Sequence, residues 1–371
     1  VGRGVAIFAA CALSALVAGS GGALSGCDQG HQDDQPSVGS VPVNLVSQNV
    51  DAHTPVPANG NIELGFDRFL DPATVNRQGF VLADASGNAI AFAALAYDPV
   101  VRKVTIEPMG GLVAGQPYTL TLPVWPHGVE SGGVRATDGA PLSAPLEIGF
   151  MASAAGTAPS VTTVSFCGDI LPVFQRSCSV SSCHGAPAPG ADPTRTGSGS
   201  SYPAEGLALS TGPWVQTSAI DGLRPAVGDN SGPSGVSDEG IAGLFGVNMP
   251  IIDPNNAANS WLLYKCLISP LGIPVATADA GSDAGAGVDA GPGHCGATAV
   301  SYSTATTAAS DDERARLAEQ IQGAVMPYPV PNLDGTENVA ASQPLTLDEL
   351  ERLSHWIAQG APTEDCSSTC N

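Results

Sequence analysis

Between residues 40 and 152, apolar side chains recur at every second position in short runs. Ile62, Leu64 and Phe66 alternate with Asn61, Glu63 and Gly65. A period of two turns one face of an extended chain toward a core and the other toward water. Phe80 to Leu82 and Val104-Thr105-Ile106 read as further strands, and Tyr118, Leu120 and Leu122 alternate again. Turn-forming residues lie between them, at Asp84 to Asn88 (DASGN), Tyr97 to Pro99 (YDP) and Asp138-Gly139. Such punctuation breaks the chain into short strands. Strands at this spacing, in a segment without cysteine, predict a β-sandwich. Asp71, Asp84 and Asp98 sit at turns, where carboxylates bond their own backbone, and read as turn residues and not as calcium ligands.

The period changes after a run of small residues, ASAAGTAPS. Ile170, Val173 and Phe174 fall at helical spacing and predict a short helix that delivers Cys178 to a loop. Near the C-terminus Leu347, Leu350, Leu353 and Ile357 form one apolar helical stripe. Thr346 and Glu349 make a T-x-x-E capping box at its start. Gly360 supplies a left-handed stop, and Pro362 prevents continuation. The tract from Ala278 to Gly293, ADAGSDAGAGVDAGPG, has nothing apolar to pack and is predicted to be disordered. Cys266 and Cys295 flank it, so a disulfide between them would close this insertion at its base. At the other end of the chain, Val5 to Val17 is almost wholly apolar and follows Arg3. That run is too short to span a bilayer and fits the apolar core of an export signal. The polar residues after Cys27 read as a tether.

Composition narrows the function classes. A formal charge of −22 with only 13 Lys and Arg residues excludes nucleic acid as a partner, since phosphate recognition needs clustered cations. No G-x-S-x-G, H-E-x-x-H or phosphate loop occurs, so an enzyme is not expected. Nine cysteines are present. In an exported chain most should be paired or ligated. In the tail, Cys366 can pair with Cys370, or either of them with Cys167. His355, on the last predicted helix, reads as a surface or partly packed residue.

The stretch QRSCSVSSCHGAP carries the candidate chemistry. Cys178 and Cys183 stand beside His184, with Ser179-Val180-Ser181-Ser182 between the thiols. Two thiols next to an imidazole can attach a haem, close a disulfide, or, with Cys167, contribute to a zinc site. Local spacing leaves these open.

Three resemblances bear on the choice. Leu24-Ser25-Gly26-Cys27 resembles the bacterial lipobox, which implies that Cys27 is lipidated and anchors the chain to a membrane. GFDRFLDPATV (Gly65 to Val75) and LVAGQPYTLTL (Leu112 to Leu122) resemble the strand-then-turn and L-x-x-G-x-x-Y steps of bacterial Ig-like domains. This implies a spacer or adhesion-type module in which Tyr118 bonds back to backbone near Leu112. From Cys167 to Pro362 the order I-x-P-x-F, Cys, Cys-His-Gly, Met-Pro and W-I-x-x-G-A is similar to planctomycete-type c-type cytochrome domains. That resemblance implies covalent haem c on Cys178 and Cys183, with iron held axially by His184 and Met326. Met249 is the rival distal ligand. It also implies a strand at Glu205 to Ser210 and a penultimate helix from Ser310 to Gln322. The common linker between the thiols is two residues and here it is four, which keeps the disulfide reading in play.

The expected fold class is multidomain, β plus mainly α. It divides into a lipoprotein signal (1–26), tether (27–39), Ig-like β-sandwich (40–152), linker (153–165), and a loop-rich, small-helical cytochrome c-like domain (166–365). That last domain has a disordered insertion (272–300), and a tail (366–371) follows it. The expected function is one-electron transfer by a lipid-anchored monohaem protein of the cell envelope, periplasmic or surface-facing, with an unidentified redox partner. The alternative is a haem-free, disulfide-stapled surface lipoprotein with a structural or binding role.

Overall fold

The computed structural model describes residues 39–124, 133–157, 163–179, 184–185, 207–221, 245–246, 249–272, 308–321, 326–327, 343–364 and 366. The export signal with Cys27, the Asp-Ala-Gly tract, and Cys183, Cys295 and Cys370 lie outside the described residues.

Nine strands build the first part: β1 (Leu45–Gln48), β2 (Val56–Pro57), β3 (Ile62–Phe66), β4 (Val81–Asp84), β5 (Ala89–Ile90), β6 (Phe92–Asp98), β7 (Lys103–Pro108), β8 (Pro117–Leu122) and β9 (Leu146–Ser153). They form a four-stranded sheet in the order β1-β3-β7-β6 and a five-stranded sheet in the order β2-β9-β8-β4-β5. The alternation seen in sequence sets the register. Leu64 lies opposite Val104, and Leu120 opposite Ile148, so the apolar sets of paired strands share one face. Those faces enclose a core that includes Ile62, Phe66, Phe80, Leu82, Ile106 and Phe150. The strand β6 carries no period-two signal, because Ala93, Ala94 and Ala96 stand where a polar or apolar side chain would mark a face.

Two expected local devices are present. The Tyr118 hydroxyl accepts the Val113 N–H at 2.8 Å, one residue beyond Leu112, and its ring stacks on Phe150 at 5.8 Å. Asp71 accepts from the Ala73 N–H, Asp84 from those of Ser86 and Asn88, and Asp98 from that of Val100. These carboxylates therefore serve their own turns.

The second part is helical: α1 (Leu171–Ser177), α2 (Gly212–Val215), α3 (Trp261–Leu267), α4 (Asp311–Glu319) and α5 (Leu347–Ala358). A π-helical turn (Phe166–Ile170) leads into α1, so the expected short helix begins with a wider turn. The apolar stripe of α5 is buried at Leu350, Leu353 and Ile357, and Trp356 joins it. Trp356 packs against Phe166 at 5.7 Å and edge-on to Phe174 at 6.1 Å, and its indole N–H donates to the Pro362 carbonyl at 2.9 Å. The Thr346–Glu349 capping box closes the N-terminus of α5, and Gly360 at φ 97° ends its C-terminal turn. The penultimate helix falls at α4, inside the expected span. Of the strand expected at Glu205 to Ser210, the described part, Leu207 to Ser210, is irregular backbone, bends at Ser210 and joins neither sheet.

Two cross-links join distant segments. Cys167 pairs with Cys366 across 199 residues, one of the pairings open in sequence, and ties the turn before α1 to the tail after α5. Arg176 of α1 donates to both carboxylate oxygens of Glu349 at 2.6 and 2.8 Å, binding α1 to the N-terminus of α5. The expected Cys266–Cys295 bridge is a correction. Cys266 is a free thiol within α3, where its neighbours on the helix, Trp261 to Leu267, are all buried and its own side chain points into the core. The residue is 3% exposed, and Cys295 lies outside the described residues.

Tyr118→Phe leaves the Val113 N–H without its acceptor. It should cost about 1 kcal/mol in urea unfolding with the sandwich fold intact by circular dichroism. Glu349 provides a pH test. Burial alone would raise its carboxyl, but the hydrogen bonds from Arg176 and the Thr346 N–H outweigh burial and hold it below the usual glutamate value. A depressed carboxylate contributes stability above its unfolded pKa and loses it as pH falls through the folded value. The urea midpoint of Glu349→Gln should therefore lie below wild type at neutral pH, and the two should converge on acidification through the carboxylate range.

Candidate functional site

The candidate site is assembled where α1 ends. The N–H groups of Cys178 and Ser179 both donate to the Phe174 carbonyl, at 2.8 and 2.7 Å, which closes the last turn of α1. The Cys178 carbonyl in turn accepts the His184 N–H at 3.1 Å, which fixes the backbone of His184 to the end of α1. The loop residues between Ser179 and His184, with Cys183 among them, lie outside the described residues.

His184 is held at three atoms. Besides its own N–H, its carbonyl accepts the Leu209 N–H at 2.9 Å, and its ring Nδ1 lies 3.0 Å from the Leu207 carbonyl oxygen. A carbonyl can only accept, so Nδ1 carries the proton and the lone pair of the neutral ring resides on Nε2. This is the tautomer that a histidine ligating through Nε2 requires, oriented by a backbone partner as metal-bound imidazoles commonly are. The segment that provides this carbonyl is itself fixed. The Ala208 N–H donates to Ser218 Oγ at 3.0 Å, and Ser218 Oγ reaches the Trp214 carbonyl at 2.7 Å. The imidazole is 7% exposed.

The surroundings are apolar. Cys178 shares one core with Phe174, Leu209, Val215, Met249 and Trp261. Two hydroxyls interrupt this environment. Ser179 Oγ, next to Cys178, and Ser210 Oγ, next to Leu209, are buried and have no hydrogen-bond partner among the described residues. An imidazole protonated at Nδ1, a buried cysteine at the end of α1 and apolar neighbours fit the proximal side of a haem.

The two candidate distal methionines are placed differently. Met249 is 7% exposed within the core that holds Cys178, its N–H donating to the Gly246 carbonyl at 3.0 Å. Met326 is half-buried, outside that core, with its N–H on the Lys265 carbonyl at 3.2 Å at the α3 backbone. The zinc reading loses a ligand, because the sulfur of Cys167 is committed to Cys366. Among the described residues no group of three or more His, Cys, Asp or Glu side chains is arranged to hold a metal ion. Cys266 contributes no nucleophile, since burial pushes its thiol up to about 12, against the milder lowering effect of Lys265. His355 lines a cleft of about 920 Å³ between the outer face of β3, β6 and β7 and the C-terminal end of α5, separate from His184.

Sequence pattern found the imidazole and thiols but missed Leu207 and Ser218. The first acts through its backbone carbonyl, which no side-chain motif encodes. The second is a serine ten residues from the backbone it supports.

Comparison with known proteins bears on the sandwich. The family model described as bacterial Ig-like domain matches residues 39–150. No curated protein matches the chain. Among solved structures, the chain is similar to surface layer protein SbsC, domains 1-6, at 15% identity and a TM-score of 0.24, over 35% of this chain and 16% of that one. The E. coli alpha-2-macroglobulin matches at 15% identity and a TM-score of 0.24, over 33% of this chain and 7% of that one. CopC from Methylosinus trichosporium OB3b matches at 16% identity and a TM-score of 0.22, over 32% of this chain and 99% of that one. The chain thus spans less than a fifth of the length of the S-layer and macroglobulin chains it resembles. Among the described residues no helix is long and apolar enough to cross a membrane. Residues 39–150, with their two packed sheets and tyrosine-bonded corner, are a bacterial Ig-like domain, a module typical of extracellular bacterial surface proteins.

Proposed function

We propose that this chain is an exported, lipid-anchored, monohaem c-type cytochrome-like protein that passes single electrons in the cell envelope. The observation that carries this reading is His184: buried, adjoining the second cysteine of the motif in sequence, and held by the Leu207 carbonyl at 3.0 Å in the tautomer that places the ring lone pair on Nε2. A disulfide staple alone has no use for an imidazole fixed in that way. Haem supplies the one-electron couple when bound. The chain's own residues would tether it through Cys178 and Cys183, orient the proximal imidazole and exclude water with Phe174, Leu209 and Val215. Met326 or Met249 would complete the axial pair. Cys27 would hold the protein at the membrane surface.

One observation favours the second reading, a haem-free surface lipoprotein stapled by disulfides. The Cys167–Cys366 bond shows the helical region already braced in that manner, and a Cys178–Cys183 bond would extend it.

A single measurement separates the two. The chain from Asp28 onward is exported in a host able to mature c-type cytochromes, purified, and its reduced-minus-oxidised visible spectrum recorded before and after denaturation. Sharp α and β bands with colour retained on the denatured chain are expected, and His184→Ala should abolish the native low-spin spectrum. A colourless protein whose Cys178–Cys183 peptide is two hydrogens lighter than the dithiol would overturn electron transfer and leave the stapled lipoprotein.

A further inference from the structure

We infer that the surface of the Ig-like sandwich around Arg68, Phe69 and Val100 is a docking face whose partner is the helical region of the same chain. The two parts then unfold as one cooperative unit, and the sandwich is a structural half of the protein and not a spacer. This inference does not depend on haem.

The residues just after β3 leave the sandwich core and enter the other one. Phe69 and Val100 are fully buried, and both pack in the core built by α1, α3 and α5. Ala258, from the loop before α3, is buried in the sandwich core in exchange. Arg102 lies over the Phe69 ring at 5.7 Å, closing the sandwich side of the plug.

Around this apolar contact runs a buried polar network. Arg68 is 2% exposed. Its Nε donates to Glu313 Oε2 at 2.5 Å, its Nη2 to Asp138 Oδ2 at 2.7 Å, and its Nη1 to the Val41 carbonyl. Glu313, in the first turn of α4 and also 2% exposed, uses Oε1 to accept the Phe69 N–H at 2.7 Å. A second bond crosses the seam, from Ser354 Oγ of α5 to Asp98 Oδ1 at 2.8 Å. Neither partner is tolerable alone. A separated helical region would expose the cavity of Phe69, and a separated sandwich would present Phe69 and Val100 to water and leave Arg68 Nε without Glu313. Removing one member of a buried ion pair leaves an uncompensated charge, whereas replacing both by apolar groups is often neutral. Domains joined by a linker and a wet interface move independently by default, and an apolar plug ringed by buried charge is the exception.

The test is urea unfolding of the full chain followed by amide hydrogen exchange, read separately on peptides from β7 and from α5. In wild type the two peptides are expected to lose protection at the same urea concentration. Arg68→Met should separate them, moving the α5 midpoint down by about 1 M while β7 shifts less. The double variant Arg68→Met/Glu313→Leu should bring them back together. Two separate midpoints in wild type would overturn the inference, as would an Arg68→Met variant whose single midpoint is unchanged. If Arg68→Met fails to fold, the wild-type comparison decides alone.

Discussion

A guanidinium taken out of water must find anions and carbonyls or the fold fails, and Arg68 imposes that condition on this chain. Its partners come from three separate stretches: Val41 before β1, Asp138 near the end of the sandwich, and Glu313 on α4. Satisfying one side chain therefore sets the position of the N-terminal edge, of the 133–142 turn and of a helix 245 residues further on. Burial pushes the Glu313 carboxyl up from its usual range, and the Phe69 N–H, Arg68 and Arg316 oppose that rise. Phe69, next to Arg68, fills the helical core, so the polar and apolar demands of two adjacent residues are met by the same contact.

Inside the helical region Trp356 has the corresponding role. It touches Phe166 before α1 and Phe174 within α1, while its N–H closes the chain reversal at Pro362. With the Arg176–Glu349 pair and the Cys167–Cys366 bond, α1 is held to α5 at both ends. The rigidity matters at the place where α1 stops. Cys178 ends that helix and its carbonyl accepts the His184 N–H, so any group these side chains held would rest on a braced support. A seam that joins the sandwich to the same core would give the Cys-His loop one orientation relative to the N-terminal side of the protein.

Much of the sandwich was legible because its strands alternate and its turns carry Asp, Asn and Gly. The tyrosine corner, the turn carboxylates and the capping box of α5 all follow from local rules and are found as expected. The strand β6 escaped because alanine marks neither face. The imidazole of His184 was visible as a residue, but its tautomer was not, since the Leu207 carbonyl that sets it is backbone. Cys266 was misread because flanking a low-complexity tract suggests pairing, whereas its position on a fully buried helix withdraws the thiol from any partner.

By itself the sequence determined the change from strands to helices, the strand faces, the position and caps of α5 and the Cys-Cys-His stretch, since each depends on residues a few positions apart. Tertiary structure alone decided that Cys167 meets Cys366, that Met249 and not Met326 lies in the core with Cys178, and that Arg68 and Phe69 of the sandwich belong also to the helical region. Those choices bring together residues separated by as many as 245 positions, and only the packing of a common core and the cost of burying unpaired charge can make them.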